Sequence, residues 1–268
     1  MSTISARLLT VSIISLFVSA CSTVPVTGRS QLNLIPGSSM MSMSAEQYGT
    51  FLKENKLSQN QQQTATVKRV GVRVQDAVER YLVSAGLQDH LKNYKWEFNL
   101  VENKQVNAWC MPGGKVVVYT GILPIARDDA GLAVVMGHEI AHAIAEHGNE
   151  RMSQGLIAQL GGAALATALS TKPEATSQLW MSVYGVGTKY GALMPYGRMQ
   201  ESEADHLGLV FMTMAGYDPN VAVSFWERMA AQKDGQAPPQ FLSTHPSDAT
   251  RIANIKRLIP SVISQYGK

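Results

Sequence analysis

An α+β fold, predominantly helical with one small antiparallel sheet beside a helix that carries HExxH, is predicted by three observations. Val67, Val70, Val74, Ala77, Val78 and Tyr81 recur three and four apart, the spacing of a helix with one buried stripe. Trp96, Phe98 and Leu100 alternate with polar neighbours, and residues 105–120 read as strand, tight turn and β-branched strand. A long apolar helical run then covers residues 131–153. The composition agrees: 45% hydrophobic and 16% charged residues in a chain of 268 can bury the core of one large domain, which excludes a disordered chain. With 23 Lys plus Arg against 20 Asp plus Glu and no basic cluster, no nucleic-acid partner is expected.

In chain order, residues 1–20 read as a signal peptide. Arg7 precedes an apolar segment from Leu8 to Val18, and the small pair Ser19 and Ala20 leads to Cys21. Val18 to Cys21 resemble a bacterial lipobox, which implies cleavage before Cys21, its lipidation, and a membrane partner held through the lipid. Ser22 resembles the sorting pattern of outer-membrane lipoproteins. The expected location is thus the bacterial cell envelope, anchored to the outer membrane and facing the periplasm. Residues 21–44, rich in Ser, Gly and Pro, read as a tether or an arm lying on the domain, and residues 45–268 as the main domain. Cys110 is then left as a buried core thiol.

The helix over residues 67–81 can end at Gly86, and the turn Pro112, Gly113, Gly114 joins two strands of the sheet. Asp128 or Asp129 can cap the next helix by accepting from free amides of its first turn. Residues 155–170 are uncharged and mostly small, but fall short of the roughly 20 residues that span a bilayer. They are expected as a packed or mobile helix. Residues 177–198 read as a loop or broken helix, and helical patterns resume at about 200–215, 219–232 and 246–258.

The chemistry starts at His138. Residues four apart on a helix are separated by about 400° of rotation, so His138 and His142 project from one face and can share a metal ion. Glu139, about 100° around, can reach a water on that metal. Paired His and a Glu in an apolar helix are costly to bury without such an ion or strong partners. A metzincin third ligand fails, because the position ten after His138 is Gly148. His147 lies about 180° around a continuous helix and is expected at the surface or at a helix end. Glu201 and Asp205, four apart, share a face, so one can bind the metal while the other accepts a ring N–H of a ligating His. Glu203, Glu146 and Glu150 are expected in solvent.

The strings VNAWCMPGGKVVVYTGIL, VVMGHEIAHAIAEHGNERMS, ESEADHLG and STHPSDATRI resemble the HtpX-like and CaaX-prenyl-protease-like gluzincin family. CSTVPVTGRSQLNLIP resembles its secreted lipoprotein or periplasmic branch, of the BepA and LoiP type, and the core motifs also resemble mitochondrial Oma-type members. The resemblance implies a zincin-like metallopeptidase with one zinc ion per chain, held by His138, His142 and Glu201, with Glu139 as the catalytic base. It implies Asp205 as the orienting carboxylate and His245 as a further active-site histidine, which either stabilises the oxyanion or occupies the open zinc position and holds the enzyme inactive. Arg251 pairs with a site carboxylate or the substrate carbonyl, or else sits in a surface salt bridge. Asn107 and Ala108 belong either to an edge strand that receives the substrate or to an ordinary hairpin. Two departures matter: neither multi-pass membrane helices nor a helical-repeat domain is visible, so neither membrane-embedded catalysis nor repeat-mediated docking is expected.

These readings lead to a zinc endopeptidase that acts on extended or misfolded envelope proteins in quality control. Two other classes remain. One is a chaperone-like or binding factor for outer-membrane protein assembly with a structural or regulatory zinc, and the other is an interaction protein using residues 155–170 at the membrane.

Overall fold

The structure is a computed structural model, and it describes residues 21–24, 27–160, 179–180, 183–184, 197–233, 239–245 and 249–267. The expected signal peptide, most of the apolar 155–170 stretch and most of the 177–198 segment lie outside the described residues. Five strands are described: β1 Cys21–Thr23, β2 Ser30–Leu32, β3 Glu97–Val101, β4 Ala108–Met111 and β5 Lys115–Tyr119. The described helices are α1 Gly37–Glu54, α2 Gln61–Ser84, α3 Leu123–Ala126, α4 Asp129–Ile144, α5 His147–Leu160, α6 Arg198–Met214, α7 Val221–Ala230, α8 Gln240–Thr244 and α9 Ala249–Tyr266. None of them is long and apolar enough to cross a membrane.

The stretch read as a tether has regular structure. β1 and β2 pair antiparallel, with Cys21 opposite Leu32, and α1 starts at Gly37, inside the range assigned to the arm. No clear stripe announces this helix in the sequence, because its buried face is built from Met40, Ser44, Tyr48 and Phe51 and is diluted by serine.

The three-stranded sheet differs from the all-antiparallel expectation. Its order is β3-β5-β4, with β4 antiparallel to β5 but β3 parallel to it, from Glu97 opposite Lys115 to Val101 opposite Tyr119. Burial explains the order. Val116, Val117 and Val118 are all fully buried, so the strand with no polar face takes the centre, and β3, which alternates, takes an edge. Residues 102–107 carry the chain past β5 to the far side. The hairpin turn needs Gly113 and Gly114, whose φ angles are 84° and 78°.

The sheet separates two cores. Phe98, Leu100, Ala108, Cys110, Val116 and Val118 face the main core, which α2, α4, α6, α7 and α9 complete. Trp109, Met111, Val117 and Tyr119 face the second one, built with Met40, Tyr48 and Phe51 of α1. At the centre lies α4, every residue of which is buried from Gly131 to Ile144. Its start is set by Asp128, whose Oδ1 accepts from the Gly131 amide at 2.8 Å.

Two local features decide where the reactive groups point. First, α4 crosses α6 at paired glycines: a Cβ on Gly137 would lie 3.1 Å from the Gly208 carbonyl oxygen, and one on Gly208 would lie 3.1 Å from the His138 nitrogen. Only hydrogen at both positions lets the backbones approach this closely. Second, the expected single helix over residues 131–153 breaks. Ala145 closes α4, Glu146 adopts φ 57°, and α5 restarts at His147. Gln31 Nε2 donates to the freed Ala145 carbonyl at 2.8 Å, so the arm satisfies the helix end.

Candidate metal centre

On α4, His138 and His142 emerge one turn apart with their Nε2 atoms 3.1 Å from each other. The Gly137–Gly208 crossing lays the first turns of α6 against them. Glu201 Oε1 lies 3.4 Å from His142 Nε2, and its Oε2 3.6 Å from His138 Nε2. His245, which follows α8, brings Nδ1 to 2.9 Å from Glu201 Oε1 and 3.2 Å from His138 Nε2. All four side chains are buried.

These spacings fit zinc. Four ligand atoms about 2.0–2.1 Å from a tetrahedral ion are about 3.3 Å apart, and the five separations just given scatter around that figure. The chemistry of the set fits as well: three imidazoles and a carboxylate converge where hydrocarbon would otherwise be expected. His138, His142, Glu201 and His245 would hold the ion.

The rest of the shell orients these groups. His138 Nδ1 lies 3.1 Å from Asp205 Oδ1, so the ring gives its N–H to Asp205 and turns Nε2 inward. Arg251 forks onto Asp205, Nε to Oδ2 at 2.8 Å and Nη2 to Oδ1 at 2.7 Å, and its Nη1 lies 2.7 Å from Glu201 Oε2. The guanidinium also stacks 3.5 Å above the Trp226 ring. Of the alternatives open for Arg251, the structure shows pairing with site carboxylates.

Burial opposes charge on Glu201, yet His245 and Arg251 hold that carboxyl well below its ordinary range. Asp205 is lowered too, Arg251 outweighing burial. Burial would lower His138, but Asp205 and Glu201 raise it to about 9. Glu139 shifts the other way. Burial pushes its carboxyl up, against His245 and His138. Its Oε1 hydrogen-bonds nothing among the described residues and sits 3.4 Å from His245 Nε2.

Asn107 precedes β4 and is buried, and its carbonyl accepts from the Tyr119 amide at 3.1 Å. Ala108 opens β4, an edge strand of the sheet. Cys110 is a free, buried thiol.

Two expectations are overturned, since Glu150 and Glu203 are buried instead of lying in solvent. His147 does stand at a helix end, as the first residue of α5, but it is fully buried. The cause is the left-handed Glu146, which resets the helical phase so that His147 folds back onto His142, Nδ1 to Nδ1 at 2.9 Å. Glu203 and Glu150 are then paired by Arg29 from the arm. No sequence signal links residues so far apart.

Residues 69–259 match the model of peptidase family M48. The chain belongs to that family. M48 metallopeptidases use zinc, in keeping with the donor set. The chain is 32% identical over 241 residues to the mitochondrial metalloendopeptidase OMA1 of Schizosaccharomyces pombe, covering 88% of this chain and 66% of that protein. It is 31% identical over 244 residues to the mitochondrial metalloendopeptidase OMA1 of Bos taurus, covering 89% and 46%. It is 29% identical over 189 residues to the beta-barrel assembly-enhancing protease of Escherichia coli, covering 66% and 38%. The match thus spans between about a third and two thirds of these relatives' lengths. For this M48 chain the expected place at a bacterial outer membrane does not stand: the fungal and bovine relatives, which match nearly nine-tenths of it, are mitochondrial. Cys21, the expected lipid-bearing residue, stands in β1.

Proposed function

We propose that this M48 chain is a zinc-dependent endopeptidase that hydrolyses peptide bonds in extended or misfolded protein segments. The observation that carries the reading is the buried carboxyl of Glu139 beside a convergent three-histidine, one-glutamate set, with Oε1 left without a hydrogen bond among the described residues. When bound, zinc supplies a Lewis acid for the peptide carbonyl and acidifies water. Glu139 accepts the water proton at Oε1 and passes it to the leaving amine; a carboxyl raised by burial is better matched to that exchange near neutral pH. Asp205 and Arg251 hold the rings and Glu201 in place.

Extended substrates follow from β4. It pairs with β5 on one side, and among the described residues no strand pairs with its other side, so a peptide can add there as a further strand near Asn107 and Ala108. Backbone pairing reads shape more than sequence, which favours unfolded segments. The restriction to envelope substrates goes with the location that did not stand.

His245 acts as a gate in this reading. Its Nδ1 would be the fourth ligand of a bound zinc, and the ring would have to swing away before a substrate carbonyl could enter. The same closed set favours a second reading, a chaperone-like or binding factor whose zinc is structural or regulatory. One experiment separates them: zinc content and hydrolysis of an unfolded protein by wild type, Glu139→Gln and His245→Ala. The peptidase reading expects Glu139→Gln to keep zinc and lose hydrolysis, and His245→Ala to cleave at least as fast as wild type. Equal cleavage by wild type and Glu139→Gln refutes the mechanism, and silence of both wild type and His245→Ala leaves the binding factor.

A further inference from the structure

The two helix histidines are oriented differently, and the second route leads out of the site to the N-terminal arm. His138 gives its Nδ1 proton directly to Asp205. His142 Nδ1 instead faces the Nδ1 of His147, at 2.9 Å, and His147 Nε2 in turn lies 3.1 Å from Glu203 Oε2. Glu203 receives the Arg29 Nε at 3.0 Å and the Thr27 hydroxyl at 2.7 Å. Arg29 also forks onto Glu150, Nη1 at 2.7 Å and Nη2 at 2.9 Å, and Gln200 Nε2 donates to the same carboxylate at 2.6 Å. The arm is fastened on either side: Gln31 to the Ala145 carbonyl, Leu34 N–H to Ser153 Oγ at 2.9 Å, and Asn149 Nδ2 to the Ile35 carbonyl at 2.9 Å.

We propose that His147, Glu203 and the arm residue Arg29 form a positioning chain that fixes the tautomer and ring angle of His142, so that Nε2 is presented to zinc. The chain has a direction because its far end can only accept. Glu203, paired with a guanidinium, is an ionised carboxylate, and so His147 Nε2 carries the hydrogen. In a neutral ring Nδ1 is then an acceptor, so His142 Nδ1 must carry its own hydrogen, and the lone pair at Nε2 is left for the metal. Arg29 neutralises Glu203 and holds it against α5. The arm thereby belongs to the metal centre through Arg29, which is not one of the four candidate ligands. This inference rests on the zinc site described above.

The test measures zinc affinity by competition with a chromophoric chelator, and the visible spectrum of the cobalt-loaded protein, for wild type, His147→Leu, His147→Gln and Arg29→Gln. A glutamine carboxamide can accept from His142 and donate to Glu203, while leucine can do neither. His147→Leu is expected to weaken zinc binding by about 10–100-fold and to shift the cobalt bands. His147→Gln should recover most of that loss, and Arg29→Gln should weaken binding several-fold without any change in the ligand set. Glutamine and leucine weakening zinc equally would overturn the chain, since volume and not hydrogen bonding would then matter. Wild-type affinity in Arg29→Gln also overturns it, even if His147→Leu does not fold. Wild type that binds no zinc would refute the metal centre itself, a distinguishable result.

Discussion

Replacing Gly208 by alanine tests whether the helix crossing sets the metal geometry. The added Cβ would lie 3.1 Å from the His138 nitrogen and 3.2 Å from both Gly137 C and His138 Cα. Ordinary carbon contacts are about 3.5–4.0 Å, so α4 and α6 must part by a few tenths of an ångström. Asp205 and Glu201 lie about one and two turns before Gly208 on the same rigid helix, and so move with it. Zinc sites tolerate errors of about 0.2 Å in ligand distance. Overpacking costs about 1–3 kcal/mol, and the better helix propensity of alanine returns about 1 kcal/mol. The apo protein should therefore lose no more than about 2 kcal/mol. Zinc affinity should fall about tenfold or more, which corresponds to about 1.4 kcal/mol at the ion. Chelator competition and denaturant unfolding of the apo protein measure the two separately. Gly49→Ala is the control, since its Cβ would meet nothing within 4 Å; it should stabilise slightly and leave zinc affinity alone. Gly208→Ala with wild-type zinc affinity would refute the role assigned to the crossing.

Arg251→Met should destabilise the apo protein by about 3–5 kcal/mol, because it leaves Asp205 and Glu201 buried without their counter-charge; denaturant unfolding checks this. Glu203 is held at about 2, against an ordinary 4.5, by His147, Arg29 and Thr27 acting against burial. Its folded value is depressed, so its contribution to stability is fully present above pH 4.5 and is lost as pH falls toward 2. Glu203→Gln should flatten that part of the stability curve. Removing zinc with a chelator should lower the thermal unfolding midpoint, since an ion held at 100 times its Kd contributes about 2.7 kcal/mol; an unchanged midpoint would show that the donor set holds no ion.

Local periodicity made part of this molecule legible. His138, Glu139 and His142 declare themselves by helical spacing, Glu201 and Asp205 do the same, and the α2 stripe and the Asp128 cap read directly from residue order. What stayed hidden depends on single backbone events or on distant pairing. One left-handed residue, Glu146, converts a histidine expected on the outer face into the partner of a ligand. The sheet was expected to be antiparallel because neighbouring strands most simply form hairpins, but the uniformly apolar β5 claims the centre and forces β3 to its other side. Arg29 meets Glu150 and Glu203 across 121 and 174 residues, a separation at which no pattern within the chain constrains the pairing.

The hidden pairs complete the electrostatics of the visible ones. Around the candidate ion lie three buried carboxyl groups, Glu139, Glu201 and Asp205, and one guanidinium, Arg251. With the carboxyls ionised and every imidazole neutral, as ligation requires, this set falls short of neutrality by two positive charges, the charge of one zinc ion. Buried charge at that density is tolerated only when it is compensated, so the site calls for a divalent cation as well as offering ligands to one. Glu150 and Glu203 would deepen the deficit if they shared the cavity. Instead both pair with Arg29, and among the described residues His147 and His142 join Glu203 to the site. The arm thus pairs with two further buried carboxylates and, in the proposed chain, uses one of them to aim a ligand at the ion.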